Sequence, residues 1–76
     1  MHRYRNINGN SGVIAYEYDA DSIYVMFFDG FIYKYSYRSA GKKIVEELKR
    51  RADLGYGLNG YINRFARNKY ESKSRS

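Results

Sequence analysis

Two runs rich in β-favouring residues, Ser22 to Phe28 (SIYVMFF) and Phe31 to Tyr37 (FIYKYSY), are joined by Asp29-Gly30. Val, Ile, Tyr and Phe fit a pleated, half-buried surface, and Asp-Gly between two such runs is a strong hairpin signal. The hairpin's register constrains the rest of the fold, because a slip of one residue turns every side chain to the other face. A two-residue loop at Asp29 and Gly30 sets Phe28 opposite Phe31 and gathers Tyr24, Met26 and Phe28 with Tyr33 and Tyr35. A three-residue loop, Phe28 to Gly30, sets Phe27 opposite Phe31. Ile23, Val25 and Phe27 then join Phe31, Tyr33, Tyr35 and Tyr37, and Tyr24, Met26, Ile32, Lys34 and Ser36 lie opposite. That loop needs a left-handed residue at its last position, and Gly30 provides one without steric cost. The patterning favours this second register, which separates an apolar-aromatic face from a mixed one.

Ser11 to Tyr18 (SGVIAYEY) predicts a strand ahead of the hairpin, with Asp19 to Ser22 as a polar turn. From Ser39 to Ala52 the period changes. Ala40, Ile44, Val45, Leu48 and Ala52 fall on one helical face, with Ser36 or Ser39 as cap. Lys49, Arg50 and Arg51 would occupy the last turn, where positive charge suits the helix dipole. Gly55, Gly57 and Gly60 break the pattern, Gly55 as a left-handed helix end and Asn59 as a hydrogen-bonding residue of the turn. Tyr61 to Tyr70 predicts a short second helix. Tyr61, Ile62, Phe65 and Ala66 would lie on its packing face, and Arg64, Arg67 and Lys69 in solvent.

The expected fold is therefore α+β. A three-stranded antiparallel meander is followed by one amphipathic helix and a short second helix, packed on one sheet face. Residues 1–10 are expected as a loose lead-in, 11–70 as a single domain and 71–76 as a disordered basic tail. The expected core is Ile23, Val25, Phe27, Phe31, Tyr33, Tyr35, Ile44, Leu48 and Ile62. Helices can cover only one sheet face, so the other, with Tyr24, Met26, Phe28, Ile32 and Lys34, should be partly exposed.

The length, 76 residues, fits one small domain, and with no cysteine neither a disulfide nor a thiolate-bound metal can brace it. A share of 18% aromatic residues offers large buried areas instead. No apolar run could cross a bilayer and no secretory pattern is present, so the expectation is a soluble cytoplasmic protein without membrane contact. Nothing suggests an enzyme, a cofactor or a metal site. His2 is terminal, Glu46 and Glu47 point to different sides of a helix, and Asp19 and Asp21 belong to a turn. The glycines of GYGLNG lack the lysine-threonine end of a phosphate loop.

The net charge of +6 is unevenly distributed. Residues 1–33 carry two cations against four anions, whereas residues 34–76 carry twelve cations against four anions, a net of +8. Such an excess attracts polyanions. An exposed sheet of aromatics bordered by Lys and Arg is a common way to bind unpaired RNA bases. The candidate contacts are Tyr24, Lys34, Arg38, Lys42, Lys43, Arg64, Arg67 and Lys69, with RNA favoured over DNA. The alternative is a protein-interaction or homodimerisation module that uses Tyr24, Met26, Phe28 and Ile32.

The order and spacing of several residues carry a resemblance. Ser11 precedes a strand ending in Tyr18-Asp19. Ile23, Val25 and Phe27 form an apolar alternation, followed by Gly30, by Tyr33-Lys34-Tyr35, and by Gly55, Asn59 and Ile62, with Tyr70 as a closing aromatic. In this order the chain resembles, from Ser11 to Tyr70, the KTSC family, a short domain at the C-terminus of some lysyl-tRNA synthetases that also occurs alone. It departs from the family pattern in lacking the proline before the helix and the serine before Gly55. The resemblance implies the same α+β arrangement, with Tyr33 and Tyr35 as fold-specifying residues, and suggests RNA binding by association with a tRNA-charging enzyme.

Overall fold

The computed structural model describes Met1 to Arg75. Its centre is the expected meander: β2 (Val13–Tyr18), β3 (Ser22–Phe27) and β4 (Phe31–Ser36), each antiparallel to the next. Ile23 pairs with Tyr35 and Val25 with Tyr33. This is the register of the three-residue loop. Gly30 has φ +89° and donates its N–H to the Phe27 carbonyl at 2.9 Å. Ile23, Val25 and Tyr35 are almost fully buried on the helix-covered face.

The sheet is wider than expected. Two short edge strands, β1 (His2–Arg3) and β5 (Ser72–Arg75), extend it to five strands in the order β1-β2-β3-β4-β5. The lead-in is held because Tyr4 buries its ring to 3% exposure and continues the ladder from its N–H to the Ile14 carbonyl at 2.8 Å. The tail is held by pairing with β4. Lys73 stands opposite Tyr33, and Arg75 opposite Phe31. Their cationic heads lie 4.5 and 5.0 Å from the centre of the Phe31 ring. Tail residue Ser76 lies outside the described residues.

The expected helix is divided. Ser36 caps α1 (Tyr37–Ala40) through a reciprocal pair of hydrogen bonds with Ser39, both 3.1 Å. Tyr37 thus begins a helix and leaves the strand stripe, and its hydroxyl donates to Glu46 at 2.7 Å. Gly41, at φ +91°, separates α1 from α2 (Lys42–Leu54), which ends at left-handed Gly55. Val45, Leu48 and Ala52 are buried against the sheet. Lys49 is buried too, and because α2 runs on to Leu54 only Arg51 of the expected cations falls in its last turn. The Lys49 ammonium donates to the carbonyls of Asp19 at 2.8 Å and Ala20 at 3.1 Å and pairs with Glu46 at 2.9 Å. It ties the helix to the β2–β3 turn.

The second helical segment starts earlier and ends sooner than expected. It comprises α3 (Leu58–Tyr61) and a π-helical turn, Ile62–Ala66, with Leu58, Ile62 and Ala66 in the core. Of the expected core, Ile23, Val25, Tyr35, Leu48 and Ile62 are buried, while Phe27, Tyr33 and Ile44 pack partly buried around them. Phe31 lies outside that cluster, roofed by the tail cations. Tyr4, Val13, Tyr16 and Leu58 complete the core.

Candidate nucleic-acid interface

The helices stop short of the hairpin end of the sheet. Beyond Val25 and Tyr35, the aromatic face continues through Tyr33, Phe27 and Phe31, all only partly buried. A cleft of about 320 Å³ opens there. Phe27, Tyr33, Tyr35 and Ile62 line it from the core side, Phe28 and Asp29 from the hairpin loop, and Asn63, Arg67, Asn68 and Tyr70 from the chain after α3.

The rings inside it are mutually braced. Tyr33 meets Phe27 edge-on at 5.3 Å and Tyr70 edge-on at 5.0 Å, and is stacked with Tyr35 at 6.4 Å. Lys73 also stands 5.3 Å from the Tyr33 ring centre. Tyr35 has its hydroxyl pKa raised, first by burial and then by its tyrosine neighbours, so it stays a neutral wall. Phe28 differs from all of these. It is 77% exposed, yet the Phe28 N–H donates to the Gly12 carbonyl at 2.8 Å, which anchors its backbone. A large apolar ring held in water on a fixed backbone is a ready stacking surface. Asp29 spends its carboxylate on the turn, accepting the Phe31 N–H at 3.1 Å.

The sequence-based contacts are dispersed. Arg67 lines the cleft. Tyr24 and Lys34 face the other way, paired across β3 and β4 on the sheet face the helices leave bare. Lys34 sits 5.6 Å from the Tyr24 ring and 3.3 Å from Glu71, whose carboxylate raises its pKa, keeps the ammonium charged and offsets that charge. Arg38 is exposed on α1, and Lys42 and Lys43 open α2. Lys43 lines a different groove with Ile44, Tyr61 and Phe65, and Arg64 stacks over Phe65 at 5.4 Å. Lys69 is exposed between the π-helical turn and β5. Phe28, expected beside Tyr24, Met26 and Ile32, instead lines the cleft, because it belongs to the loop and not to β3.

Sequence reasoning missed Lys73 and Arg75. They share the aromatic face because residues two apart in a strand point the same way. The alternation Ser-Lys-Ser-Arg carried that period.

Among the described residues no group of three or more His, Asp or Glu could hold a metal ion. Among the same residues no helix is long and apolar enough to cross a membrane. Compared with family models, with curated proteins and with solved structures, the chain finds no match in any of the three.

Proposed function

We propose that this chain is a small, non-catalytic nucleic-acid-binding domain that takes single-stranded RNA, in preference to DNA, at the aromatic cleft. The observation that carries this reading is Phe28, an exposed ring beside a braced aromatic wall, with Arg67 at the cleft and Lys73 and Arg75 alongside. Stacking tolerates any base, and cations beside the rings can meet phosphates. The resemblance to the KTSC family agrees with it.

Titration of labelled single-stranded RNA at several salt concentrations tests the reading. If Arg67, Lys73 and Arg75 each neutralise one phosphate, log affinity falls with log salt at a slope of about −2, which is roughly 20-fold for a fourfold rise in salt. Absence of binding at low salt defeats the proposal, and salt-independent binding defeats the phosphate contacts. Single-stranded DNA of the same sequence, bound as tightly, would remove the preference for RNA.

A second reading is self-association through the bare sheet face, where Tyr24, Met26 and Ile32 are partly exposed. A monomer by sedimentation at high micromolar concentration counts against it.

A further inference from the structure

A second cleft lies between the Asn6–Ser11 loop and the turn from Gly55 to Gly60, and its chemistry is different. Its volume is about 230 Å³, and no charged side chain lines it. Asn6, Asn8, Asn10 and Asn59 converge there around Tyr56, although the first three are some fifty residues from the last in sequence. The loop is firmly built. The Asn6 side chain accepts the Ser11 N–H at 3.1 Å, the Gly9 N–H donates to the Asn6 carbonyl at 2.9 Å, and the Ile7 N–H donates to the Gly55 carbonyl at 2.8 Å.

Its functional groups, by contrast, are unspent. Among the described residues the side-chain amides of Asn8, Asn10 and Asn59 have no hydrogen-bond partner, so Asn59 does not brace the turn as expected. Tyr56 is half exposed and pairs with no other ring. A Cβ on Gly60 would meet nothing within 4 Å, which leaves open space beside Asn59.

We propose that this amide-lined cleft reads a nucleobase of the bound strand, adenine before the others, with Tyr56 as its stacking surface and Asn59 as its principal reader. The inference rests on the nucleic-acid reading above. An asparagine amide offers one donor and one acceptor side by side, which matches the adenine edge in a two-bond contact. A neutral cleft suits a neutral flat ring. Its charged attachment has a place beside it. A shallow groove that shares Tyr4, Asn6 and Ser11 with the cleft also carries Arg3 and Arg5. Arg3 makes no ion pair among the described residues. A neutral sugar would fill the cleft without using this cation, whereas a nucleotide uses both. The two clefts are also contiguous. Ser11 lines the amide cleft, and its neighbour Gly12 holds Phe28 of the aromatic cleft, with the Phe28 ring 3.3 Å from a Cβ built on Gly12. One strand can cross from stacking ring to reading pocket.

The experiment compares labelled oligo(A), oligo(U) and oligo(C) of equal length on the whole chain. Oligo(A) is expected to bind about 10-fold tighter. Asn59→Ala and Tyr56→Ser, both at accessible positions, should each erase that preference while keeping the salt slope. Phe28→Ala should weaken all three sequences alike. Equal affinities in the unmodified chain, or a preference that survives both substitutions, overturns the pocket while the general reading stands. If no oligonucleotide binds, the general reading falls, and adenosine monophosphate followed by NMR decides the pocket alone. Shifts of the Asn8, Asn10 and Asn59 side-chain amides retain it. Their absence, or equal shifts with a neutral disaccharide, overturns it.

Discussion

Phe28→Ala separates binding from folding better than any other substitution at the aromatic cleft. The ring is 77% exposed, so about a quarter of its surface is buried. A fully buried Phe removes roughly 200 Å² from water, so the mutation forfeits about 50 Å² of burial. At about 25 cal/mol per Å² that is near 1 kcal/mol of stability. If one base stacks on the ring, the loss in binding is about 1–3 kcal/mol, or roughly 5- to 150-fold in affinity. Fluorescence anisotropy with labelled single-stranded RNA at low salt measures the second quantity, and urea unfolding the first. Phe65→Ala serves as control. Its ring is also large and 47% exposed, but it lines the groove of Ile44 and Tyr61 and not the cleft. Unchanged affinity in Phe28→Ala, or an equal loss in Phe65→Ala, refutes the assignment of stacking to this loop.

Other consequences concern the scaffold. Lys49→Ala removes the donor to the Asp19 and Ala20 carbonyls and should cost about 1–3 kcal/mol in urea unfolding; an unchanged midpoint means water replaces the ammonium fully. Gly55→Ala forces a side chain onto a backbone at φ +86° and sets its Cβ 2.8 Å from that of Arg5. The left-handed penalty alone is about 1–2 kcal/mol, so a loss below that range contradicts the geometry. Tyr16 has its pKa pushed up to about 12 by burial and then by its hydrogen bond to Asp53. Because the folded value exceeds the unfolded value near 10, stability is full below about pH 10 and declines as pH rises towards 12. A thermal midpoint that stays flat over that window refutes the burial of this phenol.

The hairpin was legible because two independent signals agreed. Asp29-Gly30 fixed where the chain reverses, and the apolar alternation of Ile23, Val25 and Phe27 fixed which face turns inward. The edge strands were less legible for opposite reasons. His2 and Arg3 show no strand pattern of their own; they pair because Tyr4, next along, fills the core. Ser72 to Arg75 has the alternation of a strand, but its lack of apolar residues suggested disorder. What orders it is backbone pairing with β4 and the attraction of two cations to Phe31, which becomes visible only when the partner strand is known. The division at Gly41 interrupts a helical face that Ala40 and Ile44 continue on either side, so apolar periodicity alone did not reveal it. The aromatic stripe was readable as a surface. Its division into a buried part at Tyr35 and an open part at Phe27, Phe31 and Tyr33 depends on where the helices end, which is a tertiary fact.

The distribution of charge follows from the same geometry. Of the twelve cations in residues 34–76, Lys34 pairs with Glu71, Lys49 with Glu46, and Arg50 and Arg51 with Glu47. Two guanidinium groups on one carboxylate hold the Glu47 pKa down to about 2. The fourth anion of this region, Asp53, accepts the hydroxyls of Tyr16 and Tyr18 at 2.9 and 2.8 Å. The anions are thus spent within the fold, and the remaining eight cations, Arg38, Lys42, Lys43, Arg64, Arg67, Lys69, Lys73 and Arg75, form no ion pair among the described residues. Their mutual repulsion opposes folding, offset at longer range only where Lys42 acts on Glu46 and Arg38 on Glu71. Three of the eight, Arg64, Lys73 and Arg75, lie over aromatic rings, where ring faces attract cations yet leave the outer side of each cation open to an anion. At the hairpin end, Arg67 lines the same cleft as the exposed ring of Phe28, while Lys73 and Arg75 stand over Phe31 at the β5 edge. Cations without an ion pair and open aromatic surface thus share this end of the sheet, which is the ground of the proposal that a strand with phosphates and flat bases binds there.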